Sequence, residues 1–381
     1  MELKRIGEFC RLRQGFQVPL SEQETEQKGG YVRFIRIVDY TQETTDIRYI
    51  KDSDRFYYVK EDDVVMVRYG AAGEVGHGIT GVIANNLFLI EPLIDINKDY
   101  LYYFLAQSRI KNKLLASSAS TTMPALNFKI VNDLEVPIYD KHKQDNIVSI
   151  LNKLSSIICK RQKEIIVLDE LIKARFVELF GDPDLNPMGW NESLLSEKLD
   201  VLGGYAFKSD EFNEESGIPV LRIGNINAGY FRPVNMVYWH DDESLERYAM
   251  YPGDLVMSLT GTVGKEDYGN VCILGNDYDK YYLNQRNAKL EIKEDLDKLY
   301  LSEILKFENI KKRLTGISRG VRQANIANRD ILNLCIPVPP MDKQKQFADF
   351  VEQVDKSKVA VQKSLEETQL LFDSLMQQYF G

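Results

Sequence analysis

Cysteine and histidine are scarce in this 381-residue chain. Its four cysteines (Cys10, Cys159, Cys272, Cys335) are scattered, without the CxxC pairing that a zinc site favours. With His77, His142 and His240 as the only histidines, a structural metal site is not expected. The reading is four reduced thiols in a cytoplasmic protein. No apolar run approaches the roughly 20 residues of a membrane helix. The N-terminal MELKRIGEFCRLRQG has no apolar h-region before a cleavage site, so export is not expected. Catalytic signatures are also missing. Gly261-Thr262-Val263-Gly264-Lys265 lacks the GxxxxGK[ST] spacing of a P-loop. Asn186-Pro187-Met188 departs from the Asn-Pro-Pro-aromatic tetrad of adenine methyltransferases, so the chain is not expected to methylate alone.

What is present is ordinary in amount: 44% apolar and 28% charged residues. The net charge of −9 argues against a nucleic-acid partner unless the basic residues are gathered on one face.

The chain is one unit written twice. Residues 100–181 and 300–381 align without a gap at an offset of 200, with 16 identities. Tyr100-Leu101 recurs as Tyr300-Leu301, Lys143-Gln144 as Lys343-Gln344, and Phe180-Gly181 as Phe380-Gly381. Upstream, YVRFIRIVDY (31–40) resembles IPVLRIGNIN (218–227), and DDVVMVRYGAAG (62–73) resembles GDLVMSLTGTVG (253–264). A repeat of this size dictates the architecture, so it takes precedence over single motifs.

Each copy divides in two. Residues 1–139 and 182–339 mix short β-rich runs with Gly, Asp and Asn turn signals, plus one apolar-periodic helix near 98–115 and near 296–315. Residues 140–181 and 340–381 lack internal Gly and Pro and carry a 4,3 heptad, the seam of a coiled coil. Its apolar positions start at Ile147 and Phe347 and are broken by Arg161, Arg175 and Lys358. The first helix runs directly into the second domain, so packing requires the second helix to return antiparallel. The expected fold is α+β: two domains related by a pseudo-two-fold and joined by an antiparallel coiled coil, with Met1 near Gly381. In that register Arg161 faces Val361 with its head at the surface, and Arg175 packs beside Phe347.

Several stretches carry a resemblance. FGDPDLNPMGW (180–190), GYAFKS (204–209), GIPVLRIGNIN (217–227), PGDLVMSLTGTVG (252–264) and LNQR (283–286) resemble the second target-recognition domain of Type I restriction-modification specificity subunits. Proline, a Lys-Gln pair and a long helix ending in Phe-Gly are similar to that family's spacer regions. The resemblance covers the whole chain; RLRQGFQVPL (11–20) and ANNLFL (84–89) follow it most loosely. It implies a non-catalytic DNA-binding subunit reading a two-part double-stranded target. Its helices dock modification (methyltransferase) subunits, two of them, which supply S-adenosylmethionine and flip the adenine. ATP-dependent restriction subunits join them. No cofactor is expected of the chain itself.

Basic charge is gathered at matching places. Residues 305–329 carry a net +6 and residues 105–129 a net +4, in a chain that is acidic overall. Such windows suit phosphate contact. The candidate DNA contacts there are Lys111, Lys113, Ser118, Ser120, Thr121 and Thr122 in the first copy. In the second they are Lys311, Lys312, Arg313, Arg319, Arg322, Gln323 and Asn325. Arg, Gln and Asn suit base edges, while Ser and Thr suit phosphates or bases. Arg36, Lys208, Arg222, Asn225, Thr262 and Arg286, polar members of the motifs above, join the set. Gly70, Gly73, Gly261 and Gly264 suit tight turns or close backbone approach.

Three other readings stay open. A Type IIB-like specificity subunit has the same sequence features. A coiled-coil scaffold without DNA would make the basic windows accidental. A free-standing metal-dependent endonuclease would use Glu291-Ile292-Lys293 with Asp277 or Asp279, although Glu2-Leu3-Lys4 shows how readily ExK arises.

Overall fold

The computed structural model describes residues 2–42, 44–116, 125–227, 229–262, 267–293, 295–316 and 323–381. Its contacts divide into two compact units, Met1–Gln162 with Lys363–Gly381, and Lys163–Gln362. Each unit contains one α+β domain with part of each long helix.

In the N-terminal unit an antiparallel sheet runs in the order Cys10–Gln14, Leu87–Pro92, Val64–Val67, Val75–Gly76. The strings VVMV and LFLI are apolar without alternation because both faces are covered. Val64, Met66, Phe88 and Ile90 enter the core beneath the helices. Val65, Val67, Leu87 and Leu89 enter a second cluster that includes Ile35 and Ile83. Those two belong to the second sheet, ordered Gln23–Glu24, Arg48–Lys51, Tyr31–Ile35, Val82–Ile83.

The C-terminal unit repeats the plan. One sheet is ordered Leu199–Gly203, Asn287–Ile292, Leu255–Ser258, Val271–Ile273, and the other Tyr238–Trp239, Ile218–Leu221, Tyr281–Leu283, Ala249–Met250. Gly15 and Gly204 occupy equivalent bends: Phe16 N–H donates to the Ile83 carbonyl, and Tyr205 N–H to that of Leu283. A Cβ on either glycine would lie 2.2 Å from a backbone oxygen, of Ala84 or of Asn284. The loosely matching RLRQGF segment therefore does the same work as GGYAF.

Each helix expected near 98–115 and 296–315 is two helices. They are Lys98–Leu105 and Ser108–Ala116 in one copy, and Lys298–Lys306 and Glu308–Thr315 in the other. Gln107 breaks the first by donating its side-chain amide back to the Phe104 carbonyl at 2.8 Å. Phe307 breaks the second by taking an extended conformation that sets its ring 4.8 Å from Phe176.

The long helices are Lys141–Phe180 and Met341–Phe380, 40 residues each. Every seam position named by the heptad is buried or half-buried. Within each unit the two helix segments pack antiparallel. In the N-terminal unit Arg161 reaches Ser364 and Thr368, while Met376 and Phe380 join the core that holds Ile147 and Leu151. In the C-terminal unit Lys358 pairs with Asp169 at 2.5 Å, while Phe347 lies between Phe176 and Phe180.

Two details of the expected register are corrected. Arg161 does not send its head to the surface: it donates to the Ser364 carbonyl at 2.5 Å and to the Thr368 hydroxyl. Its stem lies in the seam and its donors are satisfied by the facing helix. Arg175 lies over Phe350, 5.7 Å from the ring centre, rather than on Phe347. Phe347 is fully buried against Phe176 and Phe180, and the cation sits one turn further along, paired with Glu178 at 2.7 Å.

The repeated identities are the joints between domain and helix. The Tyr100 and Tyr300 hydroxyls donate to the carbonyls of Pro137 and Pro337. Buried Gln144 accepts from Asn97 N–H at 2.9 Å and donates to the Tyr139 carbonyl at 2.8 Å. Gln344 does the same with Asp297 at 2.7 Å and Pro339 at 2.7 Å. Each buried amide thereby satisfies two backbone groups that would otherwise lack a partner. The Phe380 ring packs tilted 5.0 Å from Tyr100, and the Phe180 ring packs edge-on 4.9 Å from Tyr300. Each helix thus ends on the copy from which it did not start.

Candidate nucleic-acid interface

In the C-terminal unit the basic window and the TGT motif converge on one hydrogen-bonded patch. Thr260–Thr262 pairs antiparallel with Gln323–Asn325, so Thr262 lies opposite Gln323 and Thr260 opposite Asn325. The Leu259 N–H, just before this ribbon, donates to the carbonyl of Arg286, whose side chain is exposed. Thr262 donates from its N–H and its hydroxyl to Asp267, at 2.8 and 3.0 Å. Asn227 donates to the Asp267 carbonyl, Asn270 to Asn227, and Lys311 to Asn270 at 2.7 Å. Gly261 is required here by close approach, because a Cβ would lie 2.3 Å from Asp267 Oδ1. Asn227, Gly229, Asn270, Lys306 and Lys311 line a recess of about 210 Å³. The patch offers cationic, amide and hydroxyl groups, a set suited to phosphates and base edges.

Thr262, Gln323, Asn325, Arg286 and Lys311 are thereby brought together. Arg222 is exposed beside the short helix Ile223–Ile226, which leads to Asn227. Lys208 is exposed and paired with Glu211. Lys312 lies on the outer side of its helix, paired with Glu308. Ser118, Ser120, Thr121, Thr122, Arg319, Arg322 and Gly264 lie outside the described residues.

Four candidates have other places in the fold. Asn225 is 1% exposed, and its amide is consumed by the carbonyls of Arg232 and Val234 while its oxygen accepts from Arg222 N–H. It holds a loop. Arg36 is engaged by Asp39 and Asp46, so its guanidinium serves the fold of its own loop. Hydrogen bonds from Arg48 and then Arg36 hold the Asp46 carboxyl below the usual carboxylate range. Arg313 points away from the ribbon, bonding the Asp184 carboxylate at 2.6 Å and the Cys335 carbonyl at 3.1 Å. Lys113, its equivalent, likewise belongs to a groove beside Phe380.

The corresponding patch of the N-terminal unit is built differently. Lys111 pairs with Glu74. Arg68 stacks 5.2 Å from the Phe128 ring and donates to Gln14 at 2.7 Å, while Gln14 donates to the Asn85 carbonyl. Arg13 covers Tyr57 at 3.8 Å. Neither arginine stood out in the sequence. The outward position of Gln14 opposite the 84–86 turn was the available signal. Gly70 and Gly73 take positive φ, +94° and +86°, as their place in a turn requires.

Other chemistry finds no centre among the described residues. No group of three His, Cys, Asp or Glu side chains is placed to hold a metal. Glu291 lies 3.6 Å from Lys289, and Lys293 pairs with Asp200 rather than with Asp277 or Asp279. Burial pushes the Cys10 and Cys272 thiols up to about 12, away from nucleophilic use. No helix is long and apolar enough to cross a membrane.

The chain is thus a duplicated protein, two copies of an α+β domain each joined to a long helix. The family model described as Type I restriction modification DNA specificity domain matches residues 1–167 and 187–369, and the chain belongs to that family. It is similar to the Type I restriction enzyme MjaVIII specificity subunit of Methanocaldococcus jannaschii, 26% identical over 93% of this chain and 86% of that protein. The EcoBI specificity subunit of Escherichia coli is 25% identical over 45% of this chain and 35% of its own length. Among solved structures, the S subunit of a Type I system from M. genitalium shares the fold, with a TM-score of 0.61 and 15% identity. The match covers 100% of this chain and 96% of that one.

Proposed function

We propose that this protein is the sequence-reading subunit of a Type I restriction-modification enzyme, each copy reading one half of a bipartite DNA target. Residues 1–139 and 182–339 are the recognition domains; 140–181 and 340–381 are the spacer helices on which two modification subunits dock. Those subunits carry the methyltransferase chemistry, and ATP-dependent restriction subunits complete the assembly. The chain itself contributes no catalysis.

One observation carries the bipartite reading. The two copies share the layout of their first sheets, the glycine bends and the glutamine hydrogen bonds at the joints, yet differ at the patch around Lys111 and Lys311. A duplicated scaffold with divergent surfaces suits two different half-sites, since specificity resides in surface segments held by a rigid frame. Affinity should fall steeply with salt, because several phosphates are neutralised together. Mapping methylated adenines across the host genome by long-read sequencing tests the reading. Two short defined elements separated by a fixed undefined spacer are expected. A single contiguous motif would overturn it.

A further inference from the structure

We propose that Asn225 is a positioning residue that presents Arg222 and Arg232 to DNA phosphates, Arg232 being a contact that no sequence motif marks. The inference rests on the reading of this chain as a DNA-binding subunit.

The two copies tie back one loop in two ways. Arg36-Ile37 and Arg222-Ile223 are equivalent. In both copies the side chain three residues after the arginine accepts from the arginine N–H, Asp39 at 2.8 Å and Asn225 at 2.9 Å. In the N-terminal unit the tie to the following loop is the Arg36 guanidinium. It donates to the Asp46 carbonyl and carboxylate and lies 3.6 Å from Asp39. In the C-terminal unit the tie is the Asn225 amide, which donates to the Arg232 and Val234 carbonyls at 3.0 and 2.9 Å. The Arg232 N–H returns a bond to the Asn225 carbonyl at 2.8 Å. A neutral side chain thus takes over the loop from an arginine, and it brings no carboxylate to hold Arg222. Both Arg222 and Arg232 are exposed, and neither is ion-paired among the described residues.

The backbones of both arginines are bonded to this one buried residue. Gly229 and Asn235 turn the loop with positive φ, +79° and +50°, which both residue types accept. Gly229 also lines the recess that holds Lys306 and Lys311, so the loop borders the cationic patch. Guanidinium forks match phosphate oxygens, and a preset backbone reduces the ordering cost of binding.

The full chain is titrated over a range of salt against two labelled duplexes, one with the motif mapped by methylation and one with it scrambled. Arg222→Gln and Arg232→Gln should each flatten the slope of log affinity against log salt by about 1 on both duplexes. These exposed variants should melt with the parent chain, which keeps the test independent of folding. Asn225→Asp, with both arginines intact, should flatten the slope by about 2. Its loop loses the amide donors, and Arg222 gains the carboxylate that Arg36 has. Arg36→Gln should leave the slope unchanged. If the parent chain binds neither duplex, the DNA-binding reading fails and the inference with it. If the parent binds and both arginine variants keep its slope, the inference alone is overturned. Losses confined to the mapped motif would also overturn it, making the arginines base readers. A parental slope in Asn225→Asp would remove the positioning role.

Discussion

Lys111 and Lys311 hold corresponding positions in the two units, each packed against a glycine with positive φ, Gly73 or Gly269. Their partners differ. Lys111 pairs with the Glu74 carboxylate, whereas Lys311 donates to the Asn270 amide oxygen. A matching contrast runs through the joints. The C-terminal joint is aromatic: Phe176 sits among Phe180, Tyr300, Phe307 and Phe347. At the equivalent places the N-terminal joint has Met376, Gln107 and Ile147. One scaffold thus tolerates different packing at the joint and different charge at the reading surface, because the buried Gln144 and Gln344 hydrogen bonds set the geometry in both.

The joints offer the largest test of this contrast. Phe176→Ala should cost about 3–5 kcal/mol, since it empties a fully buried site surrounded by rings. Met376→Ala, at a site 9% exposed, should fall at the low end of about 2–5 kcal/mol. Urea denaturation of both variants measures the gap, and equal costs would remove the asymmetry.

Next in size is Arg286, exposed beside the ribbon, with Asn86 at its place in the other copy. Arg286→Ala should lose roughly 1–3 kcal/mol on the cognate site if it reads a base. Binding assays on cognate and scrambled second half-sites check this. Equal losses on both would make it a phosphate contact.

The lysine comparison comes third. Asn270→Glu should weaken DNA binding and lower the slope of log affinity against log salt by about 1. Glu74→Gln should move the N-terminal unit the opposite way. If neither variant changes the slope, neither lysine meets a phosphate.

Much of this was legible in the residues. Every position the heptad named is turned inward, because helix periodicity is local and a 40-residue segment samples it many times, but it did not name buried Val148, Phe176, Phe180 or Met376. The repeat predicted the two-copy plan. What a local pattern cannot carry is the company a polar side chain keeps. Asn225 and Arg36 stand among the candidate DNA contacts, yet in the fold they are held by Arg232, Val234, Asp39 and Asp46, partners set by loop closure. Lys311 and Arg313 are neighbours in sequence yet face opposite sides of their helix, one toward the ribbon and one toward the joint. Side chains two apart on a helix do not share a face, and that geometry would have separated them in advance.

The smallest effect is expected at the charged breaks in the seam, where the two units again differ. In the N-terminal unit Arg161 is half-buried and spends its head on the facing helix, at the Ser364 carbonyl and the Thr368 hydroxyl. The Ser364 carbonyl also accepts from Thr368 at 2.7 Å, so removing the arginine does not orphan it. Arg161→Met keeps the length of the stem and deletes a charge whose desolvation offsets much of its attraction. The change in stability should therefore stay within about 1 kcal/mol of zero. In the C-terminal unit Lys358 pairs with the exposed Asp169, and Lys358→Met should cost roughly 0.2–1 kcal/mol, less as salt is added. Denaturation at low and high salt separates the two cases. A salt-dependent loss at Arg161 larger than that at Lys358 would mean that the arginine fixes the helix register by charge rather than by packing.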